Sequence, residues 1–122
     1  MDIKRKTEIQ HKLPEGRTEE DYPYALSDKI FHTNQLFIYS EKVRPGTKAS
    51  APHIHSAIDE VAYITKGELY AYEGEKCVVL REGDSICFHA KSEEKHYLEN
   101  RSNLDAEFFI IRRSTKKSDV HY

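Results

Sequence analysis

From Gln35 to Arg112 the chain is divided into short β-branched and aromatic runs at roughly ten-residue spacing, most of them closed by Gly, Asn or Pro. Leu36-Phe37-Ile38-Tyr39 leads to Arg44-Pro45-Gly46, Val61 to Thr65 leads to Lys66-Gly67, and Glu68 to Tyr72 leads to Glu73-Gly74. Lys76 to Leu80 turns at Glu82-Gly83-Asp84, and Ser85 to Phe88, His96 to Glu99 and Ala106 to Arg112 continue the series. Strands this short gain stability only by pairing and burying a shared face. The pattern therefore predicts an all-β sandwich or barrel of about seven or eight strands. No heptad, internal repeat or phosphate-binding glycine loop offers another architecture.

The 122 residues make one domain with a single core. A third of them are charged, with 19 basic against 21 acidic side chains, so no basic stripe is available to neutralise phosphates. Nucleic acid is not an expected partner. The first eight residues carry charge with no apolar segment after them, and no run approaches a membrane span, so the expected setting is cytoplasmic and membrane-free. Cys77 and Cys87 lie inside apolar runs without CxxC spacing and read as two buried reduced thiols. A simple hairpin centred on Glu82 would bring them face to face, whereas a crossing between sheets at that corner would separate them.

The chemistry concentrates in His53-Ile54-His55-Ser56-Ala57-Ile58-Asp59-Glu60. Residues two apart on a strand point to one side, so His53 and His55 can share a ligand, and Glu60 can join them only if Ser56 to Asp59 turn the chain. His96 is a fourth candidate, in another short β-like run. Three imidazoles and a carboxylate suit iron, manganese, zinc, nickel or copper, and leave positions open on a metal that prefers six ligands.

Gly46, His53, His55, Glu60 and Gly67, followed by Gly83-Asp84, His96 and Asn100, resemble the two motifs of the cupins. These are small jelly-roll β-barrels. The resemblance covers Gln35 to Arg113 and implies an N-terminal arm and covering loop over 1–34, a barrel over 35–113 and a C-terminal tail over 114–122. It implies one divalent transition metal on His53, His55, Glu60 and His96. Departures fall at the cavity mouth: His89 replaces the second motif's proline, Lys91 replaces its next glycine, and Ser92-Glu93-Glu94-Lys95 lengthens the lip.

Strand parity names the cavity wall. If Glu60 points inward so do Ala62 and Ile64, and if His96 points inward so do Leu98 and Asn100; Phe88 is named with them as a candidate pocket residue. These small and apolar walls suit a small organic ligand with chelating oxygens. His89 is a candidate general acid or base at the mouth. Arg44, Arg112 and Arg113 are candidates to meet a carboxylate, while His11, His32 and His121 read as ordinary surface or boundary residues.

The resulting expectation is a metal-binding barrel acting on a chelated small substrate, as a dioxygenase, isomerase or lyase. The alternative is a barrel that binds or senses a small molecule without turnover. The two-sided apolar runs Leu36 to Tyr39 and Phe108 to Ile111 permit a homodimer.

Overall fold

The computed structural model describes all residues from Met1 to Tyr122 and is almost entirely β, with one 3-10 turn at Lys6–Glu8. The strands are β1 Leu26–His32, β2 Leu36–Val43, β3 Ile54–His55, β4 Glu60–Lys66 and β5 Glu68–Glu73. They continue with β6 Lys76–Arg81, β7 Ser85–Phe88, β8 His96–Glu99, β9 Ala106–Arg113 and β10 Val120–His121. One sheet has the order β1-β2-β9-β4-β7; the other is built from β6-β5-β8, to which the short β3-β10 pair is joined by the bridge between His53 and His96. All registered pairs are antiparallel, the arrangement of a jelly roll.

Alternation builds the core. On β4 Glu60, Ala62 and Ile64 are buried, on β8 His96 and Leu98, and on β9 Ala106, Phe108 and Ile110. Leu69 and Ala71 close the space from the opposing sheet. The chain changes sheet between β4 and β5 at Gly67, whose φ of +75° and whose missing Cβ, 3.0 Å from the Asp105 carbonyl if it were present, both require glycine. Lys91, which takes the place of the motif's glycine, is the one non-glycine residue with positive φ, +64°. Its N–H donates to the His55 carbonyl at 2.8 Å. That contact sustains a left-handed backbone costing about 1–2 kcal/mol for an L-residue.

The strands extend beyond residues 35–113. Leu26–His32, assigned to the arm by sequence, is the edge strand β1, paired with β2 and interrupted by a register shift between Lys29 and Phe31. Its Ser-Asp-Lys stretch masks the β pattern, as charge on an edge strand commonly does. Val120–His121, assigned to the tail, pairs with β3. The first residues pack on the chain's own barrel through the Lys12–Ser27 bridge and the 2.8 Å contact of His11 Nε2 with Ser40 Oγ. Arg44 donates to the carbonyls of Tyr22 and Tyr24, at 2.9 and 3.1 Å, and so anchors the covering loop.

The two cysteines are exposed and free, which corrects the expectation of buried thiols. Cys87 alternates outward between the inward Ile86 and Phe88, and Cys77 lies on the exposed first half of the edge strand β6. They belong to different sheets, because the chain crosses at Gly83.

Candidate metal centre

His53, His55, Glu60 and His96 converge inside the barrel, each buried, with their ligand atoms within 4.8 Å of one another. The main chain sets this up: His53 and His96 exchange backbone bonds of 3.2 and 2.9 Å, and the turn at Ser56 to Asp59 carries Glu60 back beneath them. The Phe88 ring stacks on His96 with centroids 4.0 Å apart and planes 6° apart, fixing the imidazole from the side.

The outer nitrogen selects a tautomer in His53 and His55, while the buried Nδ1 of His96 has no partner. His53 Nδ1 lies 2.9 Å from the Ala51 carbonyl, which only accepts, so Nδ1 carries the proton and Nε2 is left as a lone pair. His55 Nδ1 lies 2.9 Å from Asp119 Oδ1, with the same result. His55 Nε2 and His96 Nε2 stand 2.9 and 3.5 Å from the two Glu60 oxygens, yet neither nitrogen makes a hydrogen bond and both are fully buried. Buried ring nitrogens that stand close to a carboxylate without hydrogen-bonding it fit a shared ion. The donor set therefore fits a divalent transition metal.

Without an ion the four groups balance one another's charge. Burial alone would raise the Glu60 carboxyl, but the imidazoles of His55 and His96 outweigh it and hold the group at about 2. His55 is raised, first by Glu60 and against the effect of burial, and then by Asp119. His53 is lowered, chiefly by burial.

Asp119 is the outer partner that the sequence reading missed. It is buried, and its second oxygen accepts the N–H groups of Ala57 and Ile58 at 3.1 and 2.9 Å, so one carboxylate orients His55 and closes the turn leading to Glu60. Burial would raise its pKa, and His55 with the two amides brings it down. It lies 64 residues from His55 in the chain, in a polar segment with no motif.

A cavity of about 220 Å³ opens from the cluster between the sheets. Ala62, Phe88 and Leu98 line it, whereas Ile64 and Asn100, named with them on parity, do not. Ile64 is sealed in the core. Asn100 is fully buried and donates to the carbonyls of Val43 and Leu104 at 2.9 and 2.7 Å, holding the turn after β8. His89 is also away from the cavity: its side chain is 80% exposed, with Nδ1 4.0 Å from Asp59 Oδ1. Its side chain stands in solvent and is not brought to the metal cluster.

Two further charged residues do line the cavity. Arg112 stacks its guanidinium 3.7 Å over the Phe37 ring, and Glu41 turns its carboxyl inward from β2. Burial, with a smaller contribution from Glu60, pushes the Glu41 carboxyl up to about 8. The alternation of β2, in which Val43 is buried two residues on, was the available signal for Glu41.

Comparison with known proteins agrees with this architecture. The family model described as a cupin domain matches residues 39–112. An oxalate-binding protein of Thermotoga maritima is 31% identical over 96 residues, which cover 79% of this chain and 77% of that protein. A sugar phosphate isomerase of the cupin superfamily from Silicibacter pomeroyi aligns with a TM-score of 0.80 at 20% identity, over 93% of this chain and 76% of that one. The polyketide cyclase RemF from Streptomyces resistomycificus aligns with a TM-score of 0.77 at 13% identity, over 100% and 86% of the two chains. At such identities the solved structures show the fold alone. With a matched family model across both motifs and a relative at 31% identity, this chain belongs to the cupin domain family.

Proposed function

We propose that this cupin holds one divalent transition metal, whether iron, manganese, zinc, nickel or copper, on His53, His55, Glu60 and His96, and takes a small organic substrate onto it. The observation that carries this reading is the pair of buried, unpartnered nitrogens, His55 Nε2 and His96 Nε2, facing Glu60. Once bound, the metal supplies Lewis-acid or redox chemistry of the dioxygenase, isomerase or lyase type to a ligand at its open positions. Glu60 and the imidazoles hold the ion, Asp119 orients His55, and Ala62, Phe88 and Leu98 keep the pocket wall apolar. A second reading, capture without turnover, is supported by the 31% identical relative, an oxalate-binding protein.

Elemental mass spectrometry on protein purified without chelator tests the shared core of both readings. About one metal per chain is the expected result. A protein that takes up none, even after reconstitution with each candidate ion, overturns them. Turnover of a bound ligand then favours the enzyme, and unchanged ligand in the complex favours the binding module.

A homodimer in the cytoplasm belongs to the same proposal. Phe31, Ile38, Ile111, Val61 and Cys87 form one row across the outer face of the five-stranded sheet. Leu36 and Tyr63 flank it at 49% and 41% exposed. An apolar band of this kind supports self-association, and two exposed unpaired thiols support a reducing compartment. Sedimentation velocity is expected to give a dimer that Ile111→Lys converts to monomer; a wild-type monomer would sink the assignment. No helix is long and apolar enough to cross a membrane.

A further inference from the structure

Glu41 and Glu60 are the only carboxylates lining the cavity, and the metal cluster uses only Glu60. Folding gives no reason for the other. Glu41 pairs across the sheet with Phe108, and no hydrogen bond or ion pair reaches its carboxyl; burial and Glu60 are the influences upon it. Glu41 is half-buried, and a carboxyl drawn out of bulk water with no partner opposes folding; on β2 its inward neighbours at two-residue steps are Tyr39 and Val43. Its free side faces the same space as the metal cluster.

Strand register gives the distance between the two. Phe37 pairs with Arg112, and Ile111 with Val61, which sets Arg112 level with Glu60. Glu41 lies four residues along β2 from that level, about 13 Å of backbone at the rise of a strand. Ala62 and Ile110, paired with one another, and Leu98 fill the wall between. The cavity thus has a cationic, metal-binding end, an apolar middle and a carboxyl at the far end. Its volume of about 220 Å³ is room for about seven waters at ~30 Å³ each, more than a two-carbon dianion needs.

We infer that the cavity is a two-point site for a small oxo- or hydroxy-acid, its chelating head at the metal and Arg112 and a terminal hydroxyl or carbonyl oxygen hydrogen-bonded to Glu41. This rests on the metal reading above and adds the class of ligand to it. Arg112 is cross-strand to Glu60 and stacked on Phe37 rather than ion-paired, so its charge is available to the acid head. Burial, which pushes the Glu41 carboxyl up to about 8, favours its protonated form, and that form donates to the terminal oxygen and accepts from a hydroxyl. The acid head on the metal takes up one end of that ~13 Å and the Glu41 side chain with its hydrogen bond the other, which leaves a stem of roughly three carbons to span the wall.

The test uses zinc-loaded protein at pH 7 and two probes that differ by one oxygen, 2-oxopentanoate and 5-hydroxy-2-oxopentanoate, titrated by calorimetry. The wild type is expected to bind the hydroxylated probe about tenfold more tightly, since a site built around a polar partner discriminates against a ligand lacking it. Glu41→Leu is expected to abolish that preference while still binding 2-oxopentanoate. Glu41→Gln is expected to keep part of it, and carries the comparison if the leucine variant does not fold. Equal affinity of the two probes for the wild type, or the same preference in wild type and both variants, overturns the proposal. So does the absence of binding by either probe to protein shown to carry zinc. A protein that takes up no zinc overturns the metal reading itself, and the zinc content measured beforehand separates that failure from the others.

Discussion

Asp119→Ala is expected to weaken binding of a divalent transition metal by about 10–100-fold, as loss of an outer-shell carboxylate on a ligating histidine does. The effect has two origins. The 2.9 Å contact with His55 Nδ1 fixes the tautomer and the ring orientation, and without it the imidazole can turn or protonate at the wrong nitrogen. The second oxygen ties the amides of Ala57 and Ile58, so its removal also loosens the turn that delivers Glu60. Asp119→Asn keeps the shape and loses the charge and one acceptor, and falls between the two. Competition against a chromophoric chelator reads the affinities, with the His53→Ala/His96→Ala double variant as the limit in which stoichiometric metal is lost. An unchanged affinity in a folded Asp119→Ala protein would show that the C-terminal strand only covers the site.

The second large effect is a fall in the stability of the metal-free protein as pH rises through neutrality, caused by Glu41. The ordinary value for this carboxyl is 4.5 and in the folded chain it is about 8. Between those pH values the native state holds a proton that the unfolded chain has released, so the unfolding free energy declines with rising pH. The penalty is absent below about pH 4.5, grows across the window and is complete above about pH 8. Its full size is on the order of 3–5 kcal/mol, reduced to the extent that water enters the cavity. Glu41→Leu removes the titrating group and its desolvation, so the leucine variant is expected to gain stability over wild type steadily from pH 5 to pH 8. Urea midpoints of the two proteins, measured in chelator at several pH values, isolate the difference from all other titrating groups. Parallel curves would show that the carboxyl is solvated. A site group that lowers stability in the empty protein is common where binding requires it.

The same residues explain how far the sequence could be read. His53, His55 and Glu60 lie within eight residues, and two-residue alternation with one turn suffices to bring them together. His96 could be added because its motif is local too. Parity put Ala62 and Leu98 on the inward side, and both line the cavity, as does Phe88, which was named with them. It could not give depth, so Ile64 and Asn100, equally inward, turned out to be core and turn support. His89 shows the opposite failure, a reactive side chain next to the motif whose loop turns it to solvent.

β1 and β10 were hidden for a physical reason as well. An edge strand with charged residues and a two-residue strand carry too few alternating apolar positions to register as β, and both form because a neighbouring strand offers its free hydrogen-bonding edge. The cysteines follow the same rule: apolar sequence around a thiol says nothing of whether another layer covers that strand.

The sequence by itself determined the all-β class, the strand positions from Leu36 to Arg112 and the four metal-type side chains, because each depends on spacing within a strand or across one turn. Only the tertiary structure decided what stands around them. Asp119 arrives from 64 residues away, and Arg112 and Glu41 meet the same cavity because β9 lies between β2 and β4. Such neighbours are set by strand order and by which sheet faces which, and local alternation carries information about neither.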